Sequence, residues 1–138
     1  MKILALDVGS KRVGLAIAVG PTGPVTPLEA LPRAGGRAER AIIDLIARES
    51  ISTLIAGLPL HEDGSRSEGC DQIEAFCRRI ARRTGVSVEF VDEYGSSAEA
   101  EELLRAQGAL TSTDRRRGRI DSAAAAILVM RFRELKNA

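Results

Sequence analysis

"LALDVGSKRVGLAIA", residues 4–18, decides the fold. Two apolar runs, 2–8 and 12–19, flank a Gly-Ser-Lys-Arg turn and read as two strands of an antiparallel pair. Asp7 stands at the end of the first run, where a valine or isoleucine would pack without cost. A buried carboxylate costs several kcal/mol unless it is paired, hydrogen-bonded or bound to a cation, so the position asks for a partner.

Working outward, residues 24–31 follow a Pro/Gly-rich connection and complete a three-strand meander. Ala38, Ala41, Ile42, Leu45 and Ile46 repeat at helical spacing and predict a helix over 36–50. "STLIAGLP" at 52–59 reads as a short buried strand stopped by Gly57 and Pro59. Ser65 and Glu68 have the spacing of a capping box and open a helix to about residue 84. A strand follows over 86–94. Ser96 and Glu99 repeat the capping spacing before a helix that Gly108 ends. A polar, arginine-rich loop then leads to a last helix over about 117–135. Strands alternating with helices in the second half need crossover connections, so the sheet is expected to be mixed, with helices over its faces.

The chain has 138 residues, 44% of them hydrophobic, which suits one domain with a real core. Twenty Lys+Arg against nineteen Asp+Glu give a net charge of +1, so no global basic signal points to nucleic acid. Seventeen of those cations are arginine, a bias we assign mainly to genome composition. No stretch has the roughly 20 apolar residues of a membrane span, and the amino terminus reads as a strand rather than a leader, which predicts a cytoplasmic protein without a membrane partner. Cys70 and Cys77 are about 10 Å apart along a helix, too far for a disulfide, and share a face with Ile73 and Ile80, so they read as core.

Three acidic positions fall where a site can form. Asp7 ends the first strand, Asp92 and Glu93 end the last, and Asp121 opens an alanine-rich helix whose small Ala124 and Ala125 would let it approach the sheet. Ligands collect outside the carboxyl ends of strands in such folds. Carboxylates from separate elements are the donors a Mg²⁺ or Mn²⁺ site needs, and two such ions can drive phosphodiester hydrolysis. The plainer readings are an Asp7 that caps its turn, an Asp92 that closes a strand end, and an Asp121 that favours a helix N-terminus. His61 is either a solvated loop residue or an aid to proton transfer.

Taken in order, "ALDVGSKRVGLAIA" (5–18), "AGLPLHEDGSRSE" (56–68), "VDEYGSSAEAE" (91–101) and "IDSAAAAILV" (120–129) resemble the YqgF/RuvX-type nucleases, described as pre-16S rRNA nucleases or Holliday-junction-resolvase-like proteins. The resemblance implies an RNase H-like α/β fold in one domain over residues 1–138: a five-stranded mixed sheet, three strands in an antiparallel meander plus parallel strands, with helices on both faces. It implies catalytic, metal-holding acids at Asp7, Glu93 and Asp121, with Asp92 as second choice because a continuing strand would point it to the opposite face. It also implies trimming of a 16S rRNA precursor, or cleavage of branched DNA, with Mg²⁺ or Mn²⁺, two ions by expectation. Where relatives carry an arginine and two threonines after the Asp-Glu pair, this chain has Tyr94, Gly95, Ser96 and Ser97.

Nucleic-acid contacts are expected from Lys11 and Arg12 in the turn after Asp7, from Arg115, Arg116, Arg117 and Arg119 in "DRRRGR" before Asp121, and from Tyr94 stacking on a base. Structured RNA and branched DNA suit such backbone reading equally, and so do a monomer and a homodimer. Two other readings stand beside the nuclease. One is an RNA-binding ribosome-assembly factor that keeps the acids as remnants. The other is a nucleotide-binding module, since "DVGSKRVGLAI" also resembles the first phosphate loop of actin-like ATPases, although those need two such lobes.

Overall fold

The structure, a computed structural model, describes residues 1–106 and 113–137, and of residues 113–117 only the backbone. Among the described residues the order is β1 (Lys2–Val8), β2 (Arg12–Val19), β3 (Val25–Pro27), β4 (Leu31–Pro32), α1 (Arg37–Glu49), β5 (Ile51–Leu58), α2 (Cys70–Thr84), β6 (Ser87–Asp92), α3 (Ser96–Ala106) and α4 (Thr113–Asn137). The sheet runs β3-β2-β1-β5-β6, with β4 also on β2. Its β1–β2 and β2–β3 pairs are antiparallel, while β1–β5 and β5–β6 are parallel. The expected third strand of the meander is thus two short pieces on one edge of β2, with Leu28 donating from its backbone to Leu15 between them.

Alternation along the strands divides the core. Leu4, Leu6 and Val8 of β1 pack with Ile42, Leu45 and Ile46 of α1 and with Ile73, Phe76, Cys77 and Ile80 of α2. Ile3 and Ala5 face the other way, with Ala125, Ala126, Val129 and Phe132 of α4. Helix α3 lies outside α4, through Ala100 against Ala123, Ala124 and Ile127. Both cysteines are buried and free, as their place on the apolar face of α2 requires, and burial pushes the Cys77 thiol up to about 12. No helix among the described residues is long and apolar enough to cross a membrane.

Besides the last strand, which ends at Asp92 rather than at residue 94, two boundaries differ from the sequence reading. Ser65 does not cap α2: its backbone and hydroxyl both donate to Asp63 Oδ1, at 2.9 and 2.6 Å, inside a turn closed by a Leu60–Arg66 bridge. Gly69 takes the N-cap position instead. The second difference is "DRRRGR" at 114–119, whose backbone is helical from Thr113 rather than a loop. Arginine is a good helix former, and an acid at position 114 suits the first turn of a helix, so local preference outweighs the single Gly118. The expected break at Gly108 lies outside the described residues.

Candidate active site

Asp7 shares the α4 side of the sheet with Ile3 and Ala5, as the period of two along β1 demands. Its partner across the antiparallel ladder is Gly14. A Cβ at Gly14 would overlap the backbone carbonyl of Asp121 and come within 2.7 Å of Ser122 N, so the missing side chain is what lets α4 rest directly on β2. The Ser122 hydroxyl accepts a hydrogen bond from Leu15 N at 3.3 Å and holds that contact in register. Asp121, on α4, is thereby held against β2, the strand next to the one carrying Asp7.

Glu93 comes from the other side. It follows β6, and its backbone N–H donates to Leu58 O at 3.1 Å, which ties it to the end of β5. Val91 faces α4, so Glu93, two residues on, returns to that face. Gly57 makes the space: a Cβ there would lie 2.7 Å from Glu93 Cβ and 3.0 Å from Leu128 Cδ1. Asp92 is exposed and points away. Its Oδ1 accepts from Tyr94 N at 2.9 Å, and its carbonyl accepts from Arg131 at 2.9 Å, so the second-choice acid closes the turn instead of joining Glu93.

Asp7 and Glu93 are close enough to share a proton. Burial, then the neighbouring Glu93 charge, then Asp121, push the Asp7 carboxyl up to about 8. Glu93 is raised as well, chiefly by burial. Its Oε2 is buried with no hydrogen-bond partner. A buried carboxylate oxygen without a donor, beside a second acid, is a pair of oxygen ligands that could hold a hard divalent cation. Asp121 is not part of that pair here: Arg12 Nε donates to its Oδ2 at 2.8 Å. Among the described residues no three acidic, histidine or cysteine side chains converge on one point for a metal ion, so the expected three-acid cluster is assembled only as a pair with Asp121 beside it.

The remaining expected residues lie on neighbouring turns and on α4. Lys11 is exposed in the turn after β1. That turn is braced by Gly9 N to Arg12 O at 2.9 Å, Arg33 N to Lys11 O at 3.0 Å, and Arg33 Nη1 to Gly9 O at 2.9 Å. Arg119 is exposed and lines the same open cleft as Arg12. The side chains of Arg115, Arg116 and Arg117 lie outside the described residues. Tyr94 is 56% exposed, and its hydroxyl donates to Glu62 Oε1 at 2.7 Å, joining the β6–α3 turn to the loop after β5. His61 is exposed in that loop, where its backbone N–H donates to Ser65 O. The sequence reading missed Gly14, Ser122 and Arg33, and took Gly57 only as the stop of a strand that runs through it to Leu58. A glycine inside a strand is the signal of a close approach, and Gly14 and Gly57 both carried it.

The profile of the RuvX family, described as Holliday junction resolvase, matches residues 1–134. This chain belongs to the RuvX family. It is 40% identical over 130 residues, covering 94% of this chain and 93% of the relative, to a protein of Anaeromyxobacter sp. (strain Fw109-5) named "Putative pre-16S rRNA nuclease". A relative of the same name from Escherichia coli O1:K1 / APEC is 34% identical over 133 residues, covering 96% and 95% of the two chains. In structure the chain resembles Thermus thermophilus RuvC in complex with a Holliday junction substrate, with TM-score 0.64, 15% identity and 100% and 98% coverage. RuvX membership and this likeness agree with the mixed α/β, RNase H-like fold expected from the sequence.

Proposed function

We propose that this chain is a metal-dependent nuclease that hydrolyses phosphodiester bonds in the cytoplasm, with Asp7 and Glu93 holding Mg²⁺ or Mn²⁺ and Asp121 as the third catalytic acid. One observation carries the reading: Glu93 Oε2 is buried without a partner beside an Asp7 held up at about 8. Two such acids repel each other when ionised, and a divalent cation held by Asp7 and Glu93 would remove both penalties. When bound, the ion supplies Lewis acidity to the scissile phosphate. The chain's own residues do the rest. Gly57 and the Glu93 N–H to Leu58 contact set the reach of Glu93; Gly14 and Ser122 set that of Asp121. Lys11, Arg12 and Arg119 supply cations for the nucleic-acid backbone, and Tyr94 offers a face for a base.

The names of the relatives favour the end of a 16S rRNA precursor as substrate. The description of the family favours branched DNA as a second substrate. The test offers both, labelled, to the purified protein with Mg²⁺ or Mn²⁺, beside Asp7→Asn and Glu93→Gln proteins. Metal-dependent cutting that both substitutions abolish supports the nuclease, and the preferred substrate separates the two roles. Binding without cutting would move the reading to a ribosome-assembly factor.

A further inference from the structure

The geometry points to Arg12 as an exchangeable counter-ion that keeps Asp121 out of the metal site until a nucleic-acid backbone draws the guanidinium away. This rests on the reading of Asp7, Glu93 and Asp121 as the metal-holding acids, and it makes Arg12 a positioning residue that couples the two bindings.

Four observations carry it. Arg12 Nε lies 2.8 Å from Asp121 Oδ2, so the carboxylate that would complete the site is already neutralised. The two side chains are 31% and 24% exposed, which places the pair at the rim rather than in the core. Partly exposed ion pairs are weak, whereas a guanidinium meets a phosphate through a two-pronged fork. Arg12 therefore loses little on changing partners. Third, the main chain on both sides is held: Gly9 N and Arg33 clamp the turn before Arg12, while Gly14 and Ser122 clamp the backbone of Asp121. The Arg12–Asp121 contact is thus made by side chains on a braced main chain. Fourth, Arg12 and Arg119 line one open cleft of about 590 Å³, bounded by Leu28 and Glu29 beyond β3, Leu104 of α3 and Ala123 of α4, so the guanidinium can be reached from outside.

A cation at Asp121 and the Arg12 guanidinium exclude each other by charge. Phosphate that removes Arg12 must therefore tighten metal binding, and by linkage the metal must tighten nucleic-acid binding by the same factor. The device would hold the site incomplete until substrate arrives.

The experiment measures Ca²⁺ binding by calorimetry on the full chain, alone and with a four-way DNA junction, for the wild type, Arg12→Gln and Arg12→Lys, with the junction alone as reference. In the wild type the junction is expected to tighten Ca²⁺ about tenfold, within the usual range of such couplings. Arg12→Gln should bind Ca²⁺ about tenfold tighter without nucleic acid and gain no more than about twofold from it. Arg12→Lys, which keeps the charge, should retain part of the coupling and shows that a change in the Gln variant is not a folding defect. Equal Ca²⁺ affinity in wild type and Arg12→Gln, or coupling that survives the substitution, overturns the exchange and leaves the metal site standing. If no protein binds Ca²⁺, or Mn²⁺ titrated in the same way, under any condition, the metal reading falls with it.

Discussion

Asp7 has a consequence that needs no substrate to observe. Its carboxyl stands near 8 in the folded chain, against an ordinary 3.8. Between those values the folded protein keeps a proton that the unfolded chain has released, so metal-free stability falls as pH rises through that window. Asp7→Asn removes the charge with little change in shape. In chelator it should flatten the decline between pH 5 and pH 8 and stabilise the fold at pH 8 by about 2–5 kcal/mol. Urea unfolding at the two pH values checks this, and an Asn protein no more stable than wild type at pH 8 would refute the strained pair. Divalent metal should raise wild-type Tm more at pH 8 than at pH 5, because ligands must be ionised to bind, and should do little for the Asn protein. The placement of Asp7 and Glu93 at strand ends was legible in the sequence, since a charge ending an apolar strand is out of place. What neutralises Asp121 was not. Nothing in the spacing of residues 12 and 121 says that Arg12 pairs with Asp121 rather than facing a phosphate.

At the scale of elements, the site depends on how closely α4 lies on the sheet. Gly14→Ala puts a methyl into the Asp121 carbonyl, and backbone cannot yield as a flexible side chain can. We expect a loss of about 3 kcal/mol or more in denaturant unfolding, with Ca²⁺ or Mn²⁺ binding weakened through Asp121. Gly57→Ala meets Glu93 Cβ at 2.7 Å and Leu128 Cδ1 at 3.0 Å. Its stability cost should be smaller, about 1–3 kcal/mol, and its effect on metal binding larger, because the displaced group is Glu93 itself. Equal metal affinity in Gly57→Ala and wild type would mean that Glu93 does not need that space. The order and type of elements were readable because strand alternation and helical spacing are local patterns. The ends of α2 and α4 were not, because Ser65 had a competing partner two residues away in Asp63 and the arginine run had helix propensity that its polarity concealed. The contacts of Gly14 and Gly57 with distant elements are tertiary facts that a strand glycine only hints at.

The whole molecule is nearly neutral, at +1, so its attraction to a nucleic acid cannot be a property of its net charge. On the proposed function it would come from local cations instead, with Lys11 following the end of β1 and Arg119 lining the cleft shared with Arg12. This gives a quantity to measure. The logarithm of the binding constant falls linearly with the logarithm of salt concentration, with a slope of about 0.9 per phosphate neutralised on a DNA duplex and about 0.7 on a single strand. In a Glu93→Gln background, chosen so that nothing is cut, Lys11→Ala with Arg119→Ala should reduce the slope by about two contacts' worth, roughly 1.4–1.8, and weaken all sequences alike. A double substitution at Arg82 and Arg83, exposed in the last turn of α2, serves as the control, since it removes two cations elsewhere on the surface and alters the net charge equally. If the control flattens the slope as much, attraction follows overall charge and the cleft has no special part in it. If only the Lys11 and Arg119 pair does so, the backbone runs along the edge that presents Arg12 to it.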